Sequence, residues 1–120
     1  MKYTLIAAFV ILALFSVAVM AQDNIEKKKI EFLISSVENL KGAIFIRNGS
    51  EHNGKEAAEH LRMKLQNAVV VKTADDFIRL CASKSMITGK PYMIRLSDGK
   101  TMKSEEYFRE KLKEYNSTVK

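Results

Sequence analysis

The chain has 120 residues, 47% hydrophobic and 28% charged, with a formal net charge of +6, one proline and one cysteine. That balance excludes a disordered or low-complexity chain. A lone cysteine excludes an internal disulfide framework, so stability must come from packing, and the length allows one core rather than two.

The N-terminus reads Met1-Lys2, then an apolar run from Leu5 to Val19 broken only by Ser16, then Met20-Ala21-Gln22. A basic start, an apolar stretch and a small residue before a polar sequence follow the order of a secretory signal peptide. Residues 1–21 are therefore expected to be removed after Ala21, with Ser16 and Ala18 framing a weaker cut. Residues 22–120 are expected to form a single small α+β domain in the periplasm or outside the cell. Retention of the run as a membrane anchor is the competing expectation, because it approaches spanning length. Without Lys2 the exported part carries +5, spread along the chain. Its natural acidic counterparts there are an anionic envelope component or another periplasmic protein, with no nucleic acid. Membrane contact is expected only through an uncleaved N-terminal segment.

Ile30, Leu33, Ile34, Val37 and Leu40 recur at the spacing of one helical face, which predicts a first helix over 25–40. Phe32 falls off that stripe and is expected to pack on a second neighbour. Lys27-Lys28-Lys29, flanked by Glu26 and Glu31, reads as a solvated first turn. Gly42 ends the helix, and Ala43 to Arg47 is a short β-rich run that reads as a buried strand. A polar connection follows, and then a helix over 55–66 with Ala57, Ala58, Leu61, Leu65 and Ala68 as its core face. Val69 to Lys72 fits a strand or an extended connection. Thr73-Ala74-Asp75-Asp76 is a capping box opening a third helix that runs to about Lys84. On it, Cys81 lies four residues after Phe77, where a free thiol acts as a small buried hydrophobe. Two strand-like runs around Ser97-Asp98-Gly99-Lys100 form a C-terminal hairpin. Ser104 with Glu105 and Glu106 is expected to start the last helix, with Phe108, Leu112 and Tyr115 buried. The fold is α+β, with about four helices packed on a small, largely antiparallel sheet from the 43–47 and 91–103 regions.

The stretch from Phe45 to Leu61 holds both histidines, His52 and His60. As a connection it must turn a strand into a helix, which Gly49 and Gly54 serve through positive φ. As a surface it sets the N–H groups of a helix N-terminus near Arg47, Asn48 and Ser50, a setting suited to carboxylate or phosphate. Arg47 adds a bidentate fork. His60 lies on the flank of the core face beside Lys64, so Arg47, Asn48, Ser50, His60 and Lys64 are the candidate binding residues. An internal partner for Arg47, namely Glu38, Asp75 or Asp76, is preferred to an external anion. His52, Glu56 and His60 are spaced four and four, but Gly54 interrupts the helix, so no metal is expected, and no cofactor. An enzyme using Ser50, His52 and His60 is the alternative to a non-catalytic binding or accessory module. Neither Ser50 nor Ser85 stands in a nucleophile elbow or Ser-x-x-Lys setting, and no catalytic residue is assigned.

The blocks Phe45 to Leu65, Thr73 to Gly99 and Glu105 to Leu112 together resemble the YfeK-like family of small exported bacterial proteins, a domain of unknown function. The resemblance extends over almost the whole of residues 22–120, and Phe45-Ile46-Arg47-Asn48-Gly49-Ser50 is among its more specific blocks. It implies a bacterial source, an exported location and one compact domain, and it brings no activity. The intact mass of the exported protein is expected to correspond to a start at Gln22; a form that keeps Met1 and sediments with membranes would establish the anchor instead.

Overall fold

The computed structural model of the chain describes residues 23–119, so the segment read as a signal peptide lies outside the described residues. In chain order the elements are α1 (23–38), β1 (Ile44–Arg47), β2 (Ser50–His52), α2 (Gly54–Asn67), α3 (Ala74–Phe77), β3 (Met93–Arg95), β4 (Thr101–Lys103) and α4 (Ser104–Thr118). The fold is α+β, with the strands in one antiparallel sheet of order β2-β1-β3-β4. No helix of the described residues is long and apolar enough to cross a membrane.

Period-2 alternation splits the sheet into two faces. Phe45 lies opposite Ile94 and His52, and Ile94 opposite Met102. Phe45 and Ile94 are buried, whereas Ile44, Ile46, Met93 and Arg95 on the other face are only half-buried. The helices cover the first face. Leu33, Ile34 and Val37 from α1, Ala58 from α2, Phe77 from α3 and Phe108 from α4 are each at most 1% exposed and belong to one cluster. Edge-to-face contact of Phe77 with Phe108, centroids 6.1 Å apart, joins α3 to α4. The expected α1 stripe holds from Ile30 to Val37, but the helix ends at residue 38 and Leu40 follows it half-buried. Phe32, off the stripe, meets Tyr115 of α4 at 4.9 Å.

Residues 50–52, expected as a polar loop, are instead a strand. Asn48 at φ 51° and Gly49 at φ 81° make a two-residue connection between paired Arg47 and Ser50. Positive φ at both central residues is the type I′ geometry that Asn-Gly favours, because its twist matches that of the strands. Gly54 does not take a positive φ as expected. It is buried because a Cβ there would stand 2.5 Å from the Val37 carbonyl oxygen, so its small size is what lets α2 approach α1.

Two other expectations need correction. Helix three keeps its capping box, with Thr73 accepting from the Asp76 N–H and Asp76 accepting in return. After Phe77, however, it widens into a π-helical turn over Ile78–Ala82, and Ser83 Oγ donates to the Ile78 carbonyl. Periodicity alone does not reveal such a turn. Ser104 opens α4 as expected, with Glu105 and Glu106 in its first turn; it is buried, and its N–H donates to the Tyr92 carbonyl. Val69 and Val70 form an exposed turn rather than a strand.

Two buried polar groups carry ties that cross the core. Glu26, on α1 and 7% exposed, accepts the Ala74 N–H at 2.8 Å and so satisfies a free donor of α3. Tyr107 donates to Ser36 Oγ, which donates to the Leu33 carbonyl. Cys81 is buried as expected, and burial pushes its thiol pKa up. Gly54→Ala is expected to lower unfolding free energy by about 1–3 kcal/mol through overpacking against backbone; urea denaturation measures it, and an unchanged midpoint would show that the helices can separate freely.

Candidate functional site

The inward face of β1 carries Arg47 two residues beyond Phe45, and β2 returns antiparallel to bring His52 opposite Phe45. On β3 the same face reaches Tyr92 two residues before Ile94. Helix α2 crosses above, with His60 one turn after Glu56. These side chains meet: Arg47, His52, His60 and Tyr92 line one small cavity with Phe45 and Phe108. Its volume is about 30 Å³, room for a water-sized group or two.

The chemistry of this cleft is set by cations without counter-charges. Arg47 pairs with no carboxylate of the described residues, and neither does Lys64. The three internal partners expected for Arg47 are taken. Glu38 binds Arg62 at 2.6 Å, Asp75 binds Arg109, and Asp76 is held in the α3 cap and by Arg79. Lys64 donates to Tyr92 Oη at 3.0 Å, and the Tyr92 ring meets His60 edge to face at 6.1 Å. Burial, followed by the positive charges of Arg47 and Lys64, pulls the His60 pKa from 6.5 down to about 4. His60 is thus neutral at pH 7. His52 Nδ1 lies 3.7 Å from Glu56, while Nε2 of both histidines is buried with no protein hydrogen-bond partner. The result is a half-enclosed, largely apolar pocket with Arg47, His52 and His60 in its wall, two buried imidazole nitrogens without protein partners, and Lys64 behind the Tyr92 hydroxyl rather than in the lining; the unpaired guanidinium is the group there that suits an anionic head group.

Not every residue picked from the sequence is part of it. Arg47, His60 and Lys64 converge around Tyr92. Asn48 instead faces the 85–88 turn, its amide donating to Ser85 Oγ at 3.3 Å and its carbonyl accepting from the Thr88 hydroxyl at 2.7 Å. Ser50 is exposed and does not line the cavity, and the Ser85 hydroxyl accepts from the N–H groups of Ile87 and Thr88. The N-terminus of α2 is not open to a ligand either. Asn53 accepts from the Glu56 N–H, and Glu56 accepts the Asn53 N–H, so the chain supplies its own carboxylate there. Among the described residues no group of three His, Cys, Asp or Glu is placed to hold a metal ion. Tyr92 is absent from the sequence candidates, and His52 appears there only in the metal and enzyme alternatives, not among the binding residues. Recognising Asn48-Gly49 as a hairpin turn would have put His52 on the inward face, and continuing the β3 alternation would have done the same for Tyr92.

A family model described as a family of unknown function (DUF5329) matches residues 24–116. The chain is 44% identical over 68 residues to the uncharacterized protein YfeK of Salmonella typhimurium (strain LT2), a match covering 56% of this chain and 57% of that relative. The chain therefore spans little more than half the length of the relative it matches. No solved structure matches it.

Because the folded state refuses a proton at His60 that the unfolded chain takes up, stability from this group is present above pH 6.5 and is lost as pH falls toward about 4. Titration of the His60 ring protons by NMR is expected to give a midpoint near 4, and His60→Gln is expected to flatten stability across that window. A midpoint at the ordinary 6.5 would show an open, solvated ring.

Proposed function

The chain belongs to the DUF5329 family of unknown function, and on that premise we propose that it is an exported, non-catalytic binding module whose cleft grips a carboxylate or phosphate head group. One observation carries the reading: Arg47, half-buried at the cavity, has no carboxylate partner among the described residues although the neighbouring arginines have theirs. A guanidinium drawn partly out of water gains from an anion it can hold bidentately. The neutral His60 ring offers a directional hydrogen bond to the same group, His52 Nε2 stands beside it without a protein partner, and Lys64 adds charge from the α2 side. A cavity of about 30 Å³ admits no more than the tip of such a group, so the rest of any ligand would lie outside beside Arg47. Export is supported by the order of basic, apolar and small residues over 1–21. The positive surface suits acidic envelope components.

Thermal unfolding with millimolar succinate, inorganic phosphate or chloride tests the binding. A ligand at 100 times its Kd adds about 2.7 kcal/mol of stability. Succinate or phosphate is expected to raise the melting temperature of the native chain and to leave that of Arg47→Gln unmoved. Equal response in both proteins would place the anion elsewhere. Since no internal partner is lost, Arg47→Gln alone is expected to change the melting temperature little.

A further inference from the structure

Two stretches of the chain contain no acidic residue, residues 60–74 and residues 77–97. The fold sets their turns side by side. Val69 and Val70, in the turn after α2, are 91% and 66% exposed, and Met86 and Ile87, in the turn before β3, are 70% and 95% exposed. Val70 and Met86 face each other across a groove of about 290 Å³, with Leu80 and Cys81 below and Lys64 along its wall. Isolated exposed apolar residues are ordinary, but a joined patch on two turns calls for a partner.

The Met86-Ile87 turn is firmly held. The Ser85 N–H donates to the Lys90 carbonyl and the Gly89 N–H to the Ser85 carbonyl, and Lys84 bridges to Pro91 at its base. Asn48 ties the same turn to the β1–β2 connection through Ser85 and Thr88. The two apolar side chains are thus presented to solvent by an ordered scaffold.

The charges around the patch identify what covers it. Within these stretches Arg62, Arg79 and Arg95 are matched by carboxylates. Lys64, Lys72, Lys84 and Lys90 pair with no carboxylate of the described residues, and the last three are exposed; Lys72 shares a surface cleft with Asp23 and Glu31, and Lys84 one with Glu105 and Glu106, without pairing to them. An apolar tip backed by unpaired lysines matches an anionic bilayer, whose headgroup boundary accepts short apolar side chains while its phosphates meet the lysines. A second copy of this chain would set lysine against lysine. We infer that the protein docks on anionic phospholipid bilayers through Val69, Val70, Met86 and Ile87, with Lys72, Lys84 and Lys90 facing the headgroups. This surface adjoins the cleft at Lys64 but does not depend on it, and it differs from membrane contact through the N-terminal segment.

The test uses the full chain with Cys81→Ala and Ile87→Cys, labelled at position 87 with an environment-sensitive fluorophore. The Asp98→Cys chain, labelled in the turn at the other end of β3, is the comparison. Vesicles of phosphatidylglycerol mixed into phosphatidylcholine are expected to shift the position-87 emission to the blue and leave the position-98 emission unchanged. Pure phosphatidylcholine vesicles are expected to shift neither. Lys84→Glu with Lys90→Glu is expected to raise the lipid concentration for half-maximal shift by about tenfold or more, and salt at roughly 0.5 M is expected to act in the same direction. No shift at position 87 on phosphatidylglycerol vesicles, an equal shift at both positions, or an equal shift on the neutral vesicles would each overturn the inference.

Discussion

The place where Gly54 meets Val37 sets the geometry of much of the molecule. A single carbon added to Gly54 would fall 2.5 Å from the Val37 carbonyl oxygen and 3.3 Å from that of Glu38, so the first residue of α2 lies directly on the last turn of α1. The contact brings the positive end of one helix dipole to the negative end of another. It also fixes where α2 starts, and α2 alone carries His60 and Lys64. The first turn from that start holds Glu56 beside His52, one further turn reaches His60, and another reaches Lys64 at the Tyr92 hydroxyl. A side chain at position 54 would move all of these away from Arg47.

The positive cleft is a product of where the acidic residues went. Arg62 takes both Glu31 and Glu38 of α1, Asp75 joins Arg109 of α4, and Glu51 crosses the outer sheet face to Arg95. Glu26 is spent inside the fold on the α3 N-terminus, with Lys29 at 3.3 Å. Such exposed pairs contribute little stability each. Their effect here is distributive, because they leave Arg47 and Lys64 with aromatic and imidazole neighbours in place of carboxylates. Burial, helped by the same field, keeps His60 uncharged, so its ring enters the cleft as a neutral hydrogen-bonding group.

Legibility in the sequence followed the range of the interaction. The α1 stripe, the Thr73 and Asp76 box and the hairpin around Asp98-Gly99 are local patterns, and each appears at its expected place. Strand β2 was hidden because three residues, Ser-Glu-His, offer no apolar alternation, and its only mark is the Asn-Gly turn before it. Glu26 reads as part of a charged helix turn, since its partner is the Ala74 N–H some 48 residues away. Arg47 was assigned a carboxylate on the general ground that half-buried arginines find one; which carboxylate is within reach depends on helix placement that no periodicity encodes. Of the candidate site, the residues on regular elements, Arg47, His60 and Lys64, come together. Asn48 and Ser50, placed by a supposed loop, do not.

The sheet order β2-β1-β3-β4 has a consequence for how the chain acquires its shape. Its two outer seams are local hairpins, one closed by Asn48-Gly49 and the other by the turn through Asp98-Gly99. Each needs only a short loop and forms on the microsecond scale of isolated hairpins. The central seam joins Ile44 to Arg95, residues roughly fifty apart in the chain, and loop closure of that length sets the slower step. Two hairpins that are marginal alone must therefore wait for α2 and α3 to fold between them. Until then Phe45 and Ile94, which close the centre of the sheet, remain in water.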